Sequence, residues 1–128
     1  RIAQSIAVED SLPAGGQGAV GIELRSDDSQ VLELLRVLHH VPTARRVTAE
    51  RAMNQRLQGG CQVPIAGHAV LEDEQLYLRG LVGTPEGTRI LRAERRGPRA
   101  TAEALGTALA NDLIEQGAGE ILAALRED

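Results

Sequence analysis

The sequence predicts an α+β fold: a three-stranded antiparallel sheet covered by helices, preceded by a βα segment that belongs to an α/β domain further upstream. Three observations predict it. Three short strand-like runs follow one another with turn-forming breaks between them, and helical periodicities flank them on both sides. Near the start, a lone strand-like run leads into a helix with no neighbouring strands to join. The 128 residues, 42% of them hydrophobic, suffice for a packed core, built from Leu, Val, Ile and Ala because Tyr77 is the sole aromatic.

The first part runs from residue 1 to about 40. Ser11 to Gly21 is a Pro/Gly-rich connector, and it leads into the alternating run Ala19 to Arg25, which reads as a strand. Ser26-Asp27-Asp28-Ser29 supplies capping chemistry for a helix with Val31, Leu32, Leu34, Leu35 and Leu38 at helical spacing.

The second part, residues 41–128, begins with a helix from about Thr43, whose hydroxyl is placed to cap it after Pro42, and continues through Val47, Met53 and Leu57. Gly59-Gly60 is expected to stop this helix and to leave Cys61 on a loop, since Val63 before Pro64 avoids the α region. Strands follow at about His68 to Leu71, Gln75 to Val82 and Arg89 to Glu94, separated by Glu72-Asp73-Glu74 and Thr84-Pro85-Glu86-Gly87. Leu76, Leu78 and Val82 share the core face; Tyr77, Arg79 and Leu81 take the other. From about Thr101 to Arg126, Leu105, Leu109 and Leu113 recur four apart, break at Gly117-Ala118-Gly119, and resume with Ile121, Leu122 and Leu125. These two helices are expected to cover the sheet.

A net charge of −4 without a basic tail argues against a nucleic-acid partner, and one aromatic residue leaves no platform for stacking bases. The clusters Arg45-Arg46 and Arg92 to Arg99 read first as solvated faces, with an anionic small molecule as the sharper alternative. No apolar run approaches the roughly 18 residues needed to cross a membrane, and a single cysteine forms no internal disulfide, so a cytoplasmic protein is expected. The chain opens on Arg1 without a signal-like stretch and is expected to be part of something longer.

Gly16 to Gly21 satisfies G-x-G-x-x-G, but the glycines precede a strand-like run instead of following one and opening a helix. A hinge between domains fits better, with Gln17 available to turn its amide toward a ligand. His39, His40, His68 and Cys61 fall in none of the metal-binding spacings, so no metal is expected. Cys61 alone reads as a small buried hydrophobe, and a thiol enzyme pairing it with His68 lacks a visible orienting partner. Gly59 and Gly60 change its setting, because they remove side-chain cover and let a large ligand approach.

The stretch Glu50-Arg51-Ala52-Met53-Asn54-Gln55-Arg56-Leu57-Gln58-Gly59-Gly60-Cys61-Gln62-Val63-Pro64-Ile65 resembles the cofactor-attachment signature of the porphobilinogen deaminases (hydroxymethylbilane synthases). Leu12 to Glu23 resembles that family's interdomain crossing, and Leu81-Val82-Gly83 and Ala93 to Gly97 are also similar to it. The resemblance implies a monomeric three-domain enzyme, in which two α/β domains hinged like periplasmic binding proteins enclose the active site and a small α+β domain completes it. On that map residues 1 to about 12 close the second domain, about Ala19 to Leu38 return to the first, and the remainder is the third.

The resemblance further implies that Cys61 forms a thioether to a dipyrromethane cofactor, with Gln17, Gly18 and Gly60 lining its surroundings. This primer accepts successive porphobilinogen units, each addition expelling ammonia as a pyrrole α-carbon attacks an azafulvene methylene, and hydrolysis releases hydroxymethylbilane. The family's catalytic aspartate and most of its substrate-binding arginines match no motif here, so no catalytic residue is assigned to this chain and the chain alone is expected to be inactive. The alternative is a purely structural apo domain with neither cofactor nor turnover. The first forty or so residues are expected to be poorly ordered or to find substitute contacts in a second copy, because their native sheet is absent.

Overall fold

The computed structural model describes residues 1–58 and 63–125. In chain order its elements are α1 (Ser29–Leu35), α2 (Val41–Arg56), β1 (Ile65–Glu72), β2 (Gln75–Gly83), β3 (Ile90–Pro98), α3 (Ala102–Leu113) and α4 (Gly119–Ala124). The three strands pair antiparallel in the order β1-β2-β3. Short breaks between strands of similar length leave a meander as the natural solution.

Pairing sets Leu71 opposite Leu76 and Ala69 opposite Leu78 across the first hairpin, with Asp73 at φ 55° in the turn. Across the second, Leu78 faces Arg95 and Val82 faces Leu91. Alternation therefore sends Ala69, Leu76, Leu78 and Val82 to one face, where each is essentially inaccessible to water. The opposite face carries His68, Tyr77, Arg79, Leu81, Arg92, Glu94 and Arg96 and remains largely open.

Two helices lie on the buried face: α2 packs on β1, α3 on β2 and β3, and the two helices pack most extensively on each other. Their contact stripes are Ala49, Met53 and Leu57 from α2 and Leu105, Leu109 and Leu113 from α3, all four residues apart and all buried. The covering layer thus includes α2 in addition to the C-terminal helices. After α3 the chain makes a wide turn over Ile114–Ala118, with Gly117 at φ 106°, and α4 returns Ile121 and Leu122 to the core.

Some local expectations are corrected. The cap of α2 is His40, whose Nδ1 accepts from the Thr43 backbone N–H at 3.3 Å, while the Thr43 hydroxyl contacts the same nitrogen at 2.7 Å. Helix α2 closes at Arg56, and Gln58 takes the left-handed conformation at φ 54°; the expected stop at Gly59-Gly60 lies outside the described residues. Ala19 to Arg25 forms no strand, because no second strand lies beside it to supply hydrogen-bond partners. Val20 and Ile22 there are 91% and 50% exposed. Helix α1 forms as expected, with the Asp28 carboxylate accepting from Val31 N–H, yet it buries none of its residues. No helix among the described residues is long and apolar enough to cross a membrane.

Candidate functional site

The cysteine of the sequence motif, with Gly60, lies outside the described residues, but the positions on either side of it are held by the fold. Upstream, Leu57 is 1% exposed and anchors the end of α2 in the core. Downstream, the Pro64 carbonyl accepts from the Gly83 N–H at 3.0 Å, which ties the start of β1 to the end of β2. The two elements that flank residue 61 are therefore each tied into the rigid body.

The glycine-rich crossing lies against the same helix. Pro13 accepts through its carbonyl from Gly67 N–H at 3.0 Å, and Gly16 N–H donates to the Glu50 carboxylate at 2.6 Å. The other Glu50 oxygen accepts from Ala69 N–H at 2.8 Å. Glu50 is 6% exposed, a buried acidic side chain at the start of the Glu50 to Ile65 stretch. Its two backbone donors satisfy a carboxylate that would otherwise be costly to bury.

Gln17 and Gly18, the other residues singled out in the sequence, sit at the tip of this crossing and are exposed. The Gln17 Oε1 accepts from Ala14 N–H at 3.1 Å, so the side chain closes its own turn. Gly18 borders a groove of about 820 Å³ between the extended segment and α1, walled chiefly by Ile22, Leu32, Leu35 and Leu38.

A second cleft, of about 430 Å³, lies between the N-terminal segment and the open face of the sheet, lined by Val8, Glu9, Leu12, Tyr77, Arg79 and Arg92 among others. Its charges are largely paired. Arg79 bridges to Glu9 at 3.0 Å, and the Tyr77 hydroxyl donates to Glu94 at 2.5 Å, with the Arg96 guanidinium stacked 3.9 Å from the ring centre. The bond to Glu94, with partial burial, pushes the Tyr77 phenol above its usual range. Its own backbone hydrogen bond and Arg79 hold the Glu9 carboxyl below the ordinary value. On the helix-covered side, Arg95 makes a two-pronged contact to Asp112 and lowers that carboxyl's pKa.

What these elements define is a small α+β domain in which the helix and the strand that flank Cys61 are held beside a pinned glycine-rich segment. A family model described as the porphobilinogen deaminase C-terminal domain matches residues 44–115. That match covers more than half of the chain, and the chain belongs to the porphobilinogen deaminase family, a family of transferases in tetrapyrrole biosynthesis. The matched span includes α2, the Cys61 loop, the whole sheet and α3.

Sequence reasoning pointed to the Cys61 stretch and the glycine-rich segment but missed Glu50, which joins that segment to β1. The signal was present as an acidic residue three positions before Met53 on the apolar side of α2, between the buried Ala49 and Ala52. A carboxylate at such a position requires a polar partner.

Proposed function

We propose that this chain is the cofactor-anchoring C-terminal portion of a cytoplasmic porphobilinogen deaminase. In that reading Cys61 holds a dipyrromethane by a thioether bond, and the enzyme adds porphobilinogen units to it, loses one ammonia per addition and releases hydroxymethylbilane. Residues 41–128 are its third domain, and residues 1–40 are the end of the second domain, the hinge and the segment returning to the first. The observation that carries the reading is the uninterrupted motif from Glu50 to Ile65, which ends one core helix and begins one core strand within the family match.

The bound dipyrromethane supplies a nucleophilic pyrrole terminus that stays with the protein. This chain's own part is mechanical: Leu57 and the Pro64 to Gly83 bond hold the ends of the anchoring loop, while the glycines leave its approach open. Turnover requires a carboxylate to stabilise cationic pyrrole nitrogens and arginines for the acetate and propionate groups, and the α/β domains supply these.

Intact mass of the purified chain tests the proposal. A mass excess of one dipyrromethane that disappears in Cys61→Ser supports covalent anchoring at this residue. In the complete enzyme carrying these residues, retention of that excess in Cys61→Ser refutes the assignment.

A further inference from the structure

A carboxylate buried in the middle of α2 and bonded to two backbone amides from different parts of the chain has a job that packing alone does not explain. Its donors are Gly16 N–H, 34 residues upstream, and Ala69 N–H, 19 residues downstream. An apolar residue there would leave both amides unpaired, at about 1–3 kcal/mol each. The Gly15 to Gly16 backbone lies directly on the Glu50 stem, where a side chain on Gly15 would come within 3.7 Å of the Glu50 Cβ. Gly16 itself sits at φ 73°, a conformation that other residues adopt only under strain.

We infer that Glu50 is a positioning residue that latches the glycine-rich segment to the α+β body, making residues 13–16 part of that body. The Pro13 to Gly67 bond is the second attachment of the latched stretch. Beyond it, Ala19 N–H closes a turn on the Gly16 carbonyl, Gly18 sits at φ 82°, and Val20 is 91% exposed. Because Glu50 lies on α2 and Ala69 on β1, the latch keeps residues 13–16 in fixed relation to the two elements that flank residue 61. The inference holds whether or not Cys61 carries a cofactor.

Residue-resolved amide exchange on the whole chain tests it. In the unsubstituted protein Gly16 N–H is expected to be protected to a similar degree as Ala69, and at least about tenfold more than Val20 or Gly21, since a hydrogen bond to a charged acceptor is being read. In Glu50→Gln one oxygen still accepts but the amide nitrogen now faces a second donor. The buried Ala69 bond is expected to survive, and Gly16 to fall by about tenfold or more to the level of Val20. Unchanged protection at Gly16 in the variant, or an equal loss at Gly16, Ala69 and Leu78 together, overturns the latch. Should the variant not fold, the unsubstituted chain decides: Gly16 exchanging as fast as Val20 overturns it, and protection like that of Ala69 supports it.

Discussion

Replacing Gly106 by alanine reverses the usual sign of a glycine-to-alanine change in a helix. At an open helical site that change stabilises by up to about 1 kcal/mol, through helix propensity. Gly106 lies in the middle of α3, where it crosses α2, and is buried. A methyl group built on it would run directly onto the Ala49 carbonyl oxygen, with Ala52 Cβ at 2.8 Å and Met53 N at 2.9 Å. Two of those three atoms are backbone, so relief requires the helices to move apart rather than one side chain to rotate. Overpacking of this kind costs about 1–3 kcal/mol, and backbone contacts put it at the upper end. Set against the propensity gain, the expected net loss is about 2 kcal/mol. Urea unfolding followed by circular dichroism should show the midpoint falling by about 1–2 M at unchanged slope, and thermal unfolding a drop of about 10 °C. Gly119→Ala is the control, because nothing lies within 4 Å of its would-be methyl group, and its midpoint should hold or rise slightly. A Gly106→Ala midpoint equal to or above that of the unsubstituted chain refutes the close crossing of α2 and α3.

Two further predictions concern titration. Arg95 depresses the Asp112 pKa, so this pair contributes stability that is full above the ordinary aspartate pKa and is lost as pH falls through the depressed folded value. Asp112→Asn should therefore lower the urea midpoint slightly at pH 6 and leave a shallower decline than the unsubstituted chain shows between about pH 4 and pH 2. Tyr77, as the only aromatic residue, reports its own ionisation by ultraviolet absorbance, with a midpoint above the ordinary value of 10.0. In Glu94→Gln that midpoint should move down toward 10.0, and an unmoved midpoint would show that Glu94 is not the cause.

The sheet was legible in the sequence because its determinants are local. Alternation of Leu76, Leu78 and Val82 against Tyr77, Arg79 and Leu81 fixes which face is buried, and the two turn-rich breaks fix the meander. The break at Gly117 was equally visible. Reading Ala19 to Arg25 as a strand failed for a non-local reason: alternating apolar residues give a segment the capacity to pair, but a strand exists only when a partner lies beside it. The cap of α2 shifted from Thr43 to His40 because an imidazole nitrogen serves as an acceptor there, a use of histidine that composition does not advertise. Glu50 stood within the recognised motif, yet both of its partners are distant in sequence, and no periodicity brings Gly16 and Ala69 to one carboxylate.

The packing of α2 on α3 sets an order of events during synthesis. The two helices flank the entire meander in sequence, so when the sheet first emerges from the ribosome its apolar face has only α2 to cover it. Leu76, Leu78 and Val82 stay partly wet until residues 102–113 arrive, and closure then joins segments more than forty residues apart. The body therefore completes late, and before that closure the ends of α2 and β1 that flank residue 61 have no fixed surroundings. Any covalent loading of that residue that depends on the folded domain is post-translational, and a nascent chain stalled before α3 should be a target for chaperones rather than a substrate for modification.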